Sequence, residues 1–207
     1  ENFWNKKWEN TWLIEENEFA KKVLKYFPNW QNKKLLDLWA WAWRDSLFFA
    51  KKWFEVEAFD FSENALNNLN NFAESEKLNI KTIIWNTKDF QFAENDYDII
   101  YACNSLHYFN LESTKEIFKN LKKSLKNWWY FFLRVKSIDD IDFWKWEKLE
   151  ENFYKNWGDI KYYFTKELVE NIFEDFEILE ISENQDKHNK ISWEVTINWF
   201  IDLVAKK

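Results

Sequence analysis

Short apolar runs alternate with amphipathic stretches through the first 135 residues. The runs at 34–38, 55–59, 80–84, 97–102 and 130–135 predict buried strands. Between them, residues 44–52, 63–75 and 112–124 predict helices, and Ser62 stands where the second of these needs an N-cap. Such alternation predicts a doubly wound α/β fold, a mostly parallel sheet with helices on both faces and right-handed crossovers. The last third changes character. A charged stretch around Asp139, Asp140 and Asp142 leads to a short helix at 165–173, with Thr165 as its N-cap. Two strand-like runs follow, 176–181 and 194–205, separated by a polar loop. They predict an antiparallel hairpin closing one edge of the sheet. No repeat or linker interrupts the chain, so residues 1–207 are expected to form one domain. Residues 1–30 would be an N-terminal helical segment, 34–135 the core, and 136–207 an insertion plus the hairpin.

Charge and cysteine usage narrow the function classes. The net charge is −7 with no basic stripe, which argues against a nucleic-acid partner. No apolar run approaches the ~20 residues that span a bilayer, so no membrane partner is expected. The first thirty residues interleave charges, and no secretory signal is visible. Cys103 is the lone cysteine, which fits a reducing cytoplasm.

Two counts are abnormal: 16 Trp and one Gly, where an average domain of this size has about 14 to 15 Gly. The tryptophans stand where glycines are wanted. The strand Leu35-Leu36-Asp37-Leu38 runs into Trp39-Ala40-Trp41-Ala42-Trp43-Arg44-Asp45, and three alternate indoles in a tight strand-to-helix turn make no physical sense. Trp53 lies where a helix ends, the usual place of a C′ glycine; Trp128 and Trp129 lie in a similar turn, and Trp85 follows a strand. A gene whose UGA codons are read as glycine by the cell and as tryptophan by a standard translation table accounts for this pattern. Some bacterial lineages make that reassignment, and a composition rich in Lys, Asn, Phe and Ile fits an AT-rich genome. On placement, Trp39, Trp41, Trp43, Trp53, Trp85, Trp128 and Trp129 read as glycine. Trp12, Trp30, Trp144, Trp146, Trp157, Trp193 and Trp199 form a second group. Trp4 and Trp8 read as genuine indoles, because an i,i+4 aromatic pair suits an amphipathic helix. The competing reading is a real Trp-rich chain, which UGG codons at 39, 41 and 43 would establish.

In open α/β sheets ligands bind at the carboxyl ends of the strands, near the switch point. Residues 39–43 occupy that place. As Gly-Ala-Gly-Ala-Gly they would let a cofactor lie against bare backbone and meet the N-terminus of the next helix. Asp60, 23 residues beyond Asp37, lies at the distance where an acid takes ribose hydroxyls. L-L-D-L-(G)-A-(G)-A-(G)-R-D-S, then F-D-F-S, K-D-F and L-K-N-(G)-(G)-Y-F-F-L, together resemble class I S-adenosylmethionine-dependent methyltransferases over about residues 34–135. The resemblance implies a seven-stranded Rossmann-like sheet and S-adenosyl-L-methionine as cofactor. It also implies that Asp37 and the backbone of Trp39, Ala40, Trp41 and Trp43 hold the methionine end. Asp60 and Phe61 would meet the ribose region, Asp89 the adenine amino group and Phe90 the ring. Cys103 and Asn104 would flank the methionine portion. Asn127 departs from the pattern, standing where the family usually has Pro. The implied reaction is in-line methyl transfer to a small-molecule acceptor.

Two histidines are candidates for acceptor chemistry. His107 follows the fourth strand on the substrate side and is either a base or a structural hydrogen-bonder. His188 lies in the expected hairpin loop. Together with the G-R-D-S run, it is similar to tellurite-resistance methyltransferases, which place a loop histidine near the substrate; a surface histidine is the alternative. Arg134 and the Tyr162-Tyr163 pair could line the acceptor pocket. Cys103 reads better as a small buried hydrophobe than as a reactive thiol, and no His/Cys spacing indicates a metal. Two rival functions remain. A cofactor-binding module without catalysis is one. The other is a nicotinamide oxidoreductase, disfavoured because residues 39–43 give G-x-G-x-G rather than G-x-G-x-x-G.

Overall fold

A computed structural model describes residues 16–27, 32–40, 43–85, 91–156, 159–189 and 195–207. Strands β1 (Lys34–Leu38), β2 (Glu55–Asp60), β3 (Ile80–Ile84), β4 (Tyr97–Cys103) and β5 (Leu125–Lys136) pair in parallel. With β9 (Glu177–Asn189) and β10 (Val195–Lys206) they form a seven-stranded sheet in the order β3-β2-β1-β4-β5-β10-β9. The last two strands run antiparallel, as the hairpin reading expected.

Alternation along each strand sorts side chains to two cores. Leu36, Ile100, Phe131 and Leu133 pack beneath α4 (Leu111–Ser124) and α5 (Lys166–Ile172). Their neighbours Leu35, Ile99, Tyr101 and Phe132 face α1 (Glu18–Tyr26) and α2 (Arg44–Lys51). Each such fully buried aliphatic side chain contributes about 1.5–3 kcal/mol. Side-chain caps start the helices: Asn17 caps α1, Ser62 caps α3 (Glu63–Glu76), Asn110 caps α4 and Thr165 caps α5. Each carries a short oxygen that accepts an otherwise orphaned backbone N–H.

Three local readings are corrected. A second sheet stands in the charged stretch, built from β6 (Glu147–Glu150), β7 (Phe153–Asn156) and β8 (Asp159–Tyr162). Every residue of β6 is exposed, so no apolar alternation marks it. Strand β5 begins at Leu125, five residues earlier than expected, and absorbs the turn at 127–129 as a register irregularity against β4. Finally, the polar residues 182–189 are not a loop. Residues 182–189 continue β9, so His188 lies in a strand paired with Thr196. The backbone ladder of a long ribbon holds polar residues as readily as apolar ones.

Candidate functional site

The carboxyl ends of β1, β2 and β4 converge on one edge of the sheet, and the residues singled out there assemble around two turns. The first follows β1. Asp37 is buried and its Oδ2 accepts the Ser46 hydroxyl at 2.5 Å. Asp45, in the first turn of α2, accepts the Asn17 N–H at 2.8 Å and the Tyr101 hydroxyl at 2.9 Å. Asp60, also buried, closes β2 and accepts the Ser62 N–H at 2.8 Å. Three acids are thus gathered at one place. Burial pushes the Asp37 carboxyl up to about 8, with the charges of Asp45 and Asp60 adding to it; the Ser46 bond and Arg44 oppose the shift. Such a group is poised to welcome a cation.

Trp39 ends β1 with φ 74°. Its indole sits in an aromatic box, stacked on Tyr108 at 5.6 Å and meeting Phe61, Phe109 and Trp85 edge-on at 5.1, 5.2 and 5.6 Å. A cavity of about 330 Å³ adjoins this box, lined by Phe59, Trp85, Phe92 and Phe109 and by α4 residues including Ser113 and Ile117. Ala40 is buried in the same turn, and Trp43 is the N-cap residue of α2 with no side-chain capping bond. Trp41, Asp89 and Phe90 lie outside the described residues.

The second turn follows β4. Cys103 ends the strand, and Asn104 takes a left-handed conformation at φ 57°. A 3-10 turn, Leu106–Tyr108, comes next and packs against β8. Here three side-chain atoms within four residues are buried without a hydrogen-bond partner: Asn104 Oδ1, Ser105 Oγ and His107 Nδ1. Leaving such a group unpaired costs about 1–3 kcal/mol. His107 is 2% exposed. Burial, reinforced by Lys161 and Lys136, holds its imidazole well below the usual range, so it is neutral. Its ring lies 4.5 Å from that of Tyr108, which also stacks on Trp39. The two turns therefore share a wall.

Other candidates fall out of the site's chemistry. Burial raises the Cys103 thiol to about 12, which leaves it a weak nucleophile. Arg134 is buried, and its guanidinium is taken by Asp202 at 2.6 and 2.7 Å, Asp186 at 2.6 Å and Asn17 at 3.0 Å. It clamps the hairpin and α1 onto β5 rather than lining a pocket. Tyr162 belongs to the α4-side core, whereas Tyr163 packs with Phe143 and Tyr154. The His188 side chain lies outside the described residues. Sequence reading missed Asp45, Ser105 and Tyr108, although Asp45 stands inside the R-D-S run and Ser105 directly follows Asn104. Among the described residues no His, Cys, Asp and Glu group could hold a metal, and no helix is long and apolar enough to cross a membrane.

The family model for tellurite resistance protein TehB matches residues 1–194. A probable S-adenosyl-L-methionine-dependent methyltransferase TehB of Haemophilus influenzae is 27% identical over 169 residues, covering 78% of this chain and 57% of the relative. A second, from another strain of that species, is 29% identical over 136 residues, covering 62% of this chain and 47% of the relative. The chain thus spans about half the length of the curated relatives it matches. The crystal structure of Haemophilus influenzae TehB superposes with a TM-score of 0.73 at 22% identity, covering 100% of this chain and 66% of that one. A Burkholderia thailandensis 1,6-didemethyltoxoflavin-N1-methyltransferase, solved with bound 1,6-didemethyltoxoflavin and S-adenosylhomocysteine, gives a TM-score of 0.68 at 13% identity over 91% of this chain and 76% of that one. The sheet is that of the Rossmann-like methyltransferases, and the chain belongs to the TehB family.

Proposed function

We propose that the chain is an S-adenosyl-L-methionine-dependent methyltransferase acting on a small-molecule acceptor, with the cofactor at the β1 turn and the acceptor at the β4 turn. The observation that carries the reading is the shared wall between the two turns. Acidic groups suited to a cationic cofactor stand on one side of it, and unpaired polar atoms stand on the other. When bound, the cofactor would supply a sulfonium methyl for in-line displacement with its neutral thioether as the leaving group, so the protein contributes positioning and desolvation. Asp37 and the start of α2 would hold the methionine end, Asp60 the ribose, and Phe61 with the neighbouring rings the adenosyl face. The family resemblance adds Asp89, Phe90, Cys103 and Asn104 to that set.

With tryptophan at 39 the groove does not fit the cofactor, because the indole already fills the aromatic box. With glycine there, the same box is open to an aromatic ring system. On the acceptor side, Ser105 and Asn104 offer hydrogen bonds to a small polar molecule. The neutral His107 Nδ1 can take a proton from a nucleophile that must lose one. Strand β8 packs against this turn, which favours a small acceptor over a polymer.

The test is a turnover screen of the full chain with glycine at 39, 41 and 43, supplied with S-adenosyl-L-methionine and a panel of hydroxyl, amine, thiol and oxyanion acceptors, tellurite among them. Formation of S-adenosylhomocysteine with one acceptor class is the expected result. Tight cofactor binding without turnover across the panel would point to a binding module instead. Preference for NADH in a calorimetric titration would point to an oxidoreductase.

A further inference from the structure

We infer that positions 39, 43, 53, 128 and 144 carry glycine in the protein as its own cell makes it, so that the groove at the end of β1 is open. Among the described residues, ten non-glycine positions have positive φ: five are tryptophan, four are asparagine and one is lysine. Asparagine tolerates the left-handed region because its short amide bonds locally. A bulky indole has no such compensation and is a genuine outlier there. Yet Trp39, Trp43, Trp53, Trp128 and Trp144 have φ of 74°, 48°, 70°, 72° and 73°.

Each site shows what the backbone wants. Trp53 is the C′ residue of a Schellman motif: its N–H donates to Ala50 C=O, and the Phe54 N–H donates to Phe49 C=O. Glycine is the usual residue at that position. Trp43 enters α2 left-handed and makes no side-chain capping bond. Trp128 forms the irregularity in β5, with its N–H on the Lys207 C=O. Trp39 turns the chain out of β1 and fills the box beside Asp60 and Phe61.

At three of the five positions packing does not hold the indole in place either. Trp53, Trp128 and Trp144 are 73%, 76% and 71% exposed, so little burial offsets their strain. Trp85, Trp129, Trp146 and Trp199 have no positive φ, and their backbone makes no demand for glycine. The five strained positions, the single glycine of the chain and the blocked groove have one common cause if these codons are UGA, read in the cell as glycine.

The gene sequence and the native protein decide this, whatever the chain's activity proves to be. Codons 39, 43, 53, 128 and 144 are expected to be UGA. Peptide masses of the protein purified from its own cells are expected to show glycine at all five. UGG at these codons, or native peptides carrying tryptophan at 39 or 43, would overturn the inference.

Discussion

The two turns at the carboxyl edge of the sheet fail in opposite ways, and the contrast is instructive. After β1 there is too much: an indole occupies a box of four aromatic rings beside three acids. After β4 there is too little: three polar atoms are buried with nothing to bond. An overfilled site is a statement about the residue that fills it, because its surroundings are complementary to something of similar shape. Polar atoms without a protein partner are open to water or to a bound molecule. The first turn therefore calls for a substitution, and the second leaves polar atoms for water or a bound molecule to meet.

The largest effect expected from this contrast is at Trp39. Ejecting a packed aromatic side chain costs about 3–5 kcal/mol. Glycine at 39, 41 and 43 should thus tighten S-adenosylhomocysteine binding by roughly 10²–10³-fold, read by isothermal titration calorimetry. Equal affinity in the two forms would show that the box is not the adenosyl site. The β4 turn should respond in the other observable. His107→Gln in the glycine form is expected to lower turnover about 10²-fold or more if the nucleophile must shed a proton, with S-adenosylhomocysteine Kd unchanged within about twofold. A parallel loss of cofactor affinity would move His107 to the β1 side of the wall.

Asp37 gives a smaller, pH-dependent test. Its carboxyl is raised to about 8 in the folded chain by burial and by Asp45 and Asp60, against the usual value near 4 when unfolded. The folded state then holds the proton that the unfolded state has lost. This group therefore lowers stability as pH rises from about 4 to about 8, by at most about 1.4 kcal/mol per pH unit. Asp37→Asn should flatten that slope in melting temperatures of the cofactor-free chain and raise stability at pH 8. It should also weaken binding of the cationic cofactor. Identical slopes in the two proteins would remove Asp37 from the acidic cluster's energetics.

What the sequence made legible follows the same division. The parallel core was readable because its inner strands bury both faces and show compact apolar runs, as in Ile99, Ile100, Tyr101 and Ala102 of β4. Asp37 and Asp60 were readable because they end such runs. Strand β6 was hidden by its exposure, and the extension of β9 through His188 by its polar composition. Ser105 was not legible because an unmet hydrogen bond is a property of assembled neighbours, not of any residue type. The tryptophans were the reverse case. Their placement at strand and helix ends was visible in one dimension, but only φ separates Trp53 and Trp128 from Trp85 and Trp129.

That separation yields the smallest predicted effect. An L-residue held left-handed loses roughly 1–2 kcal/mol relative to its preferred conformation, a cost from which glycine is exempt. Trp53 is exposed and makes its Schellman bonds through the backbone, so Trp53→Gly removes the strain and forfeits little packing. It should raise stability by about 1 kcal/mol in urea unfolding, with an unchanged m-value. Trp199 lies in β10, paired with Gln185, and has no positive φ. There glycine brings only added chain entropy and lost contacts, so Trp199→Gly should lower stability by about 1 kcal/mol or more. Opposite signs from one chemical change would show that backbone conformation, not the indole itself, decides which tryptophans this fold rejects. If both substitutions destabilise, the left-handed geometry at Trp53 is relieved in solution, and the β1 turn loses its closest structural parallel.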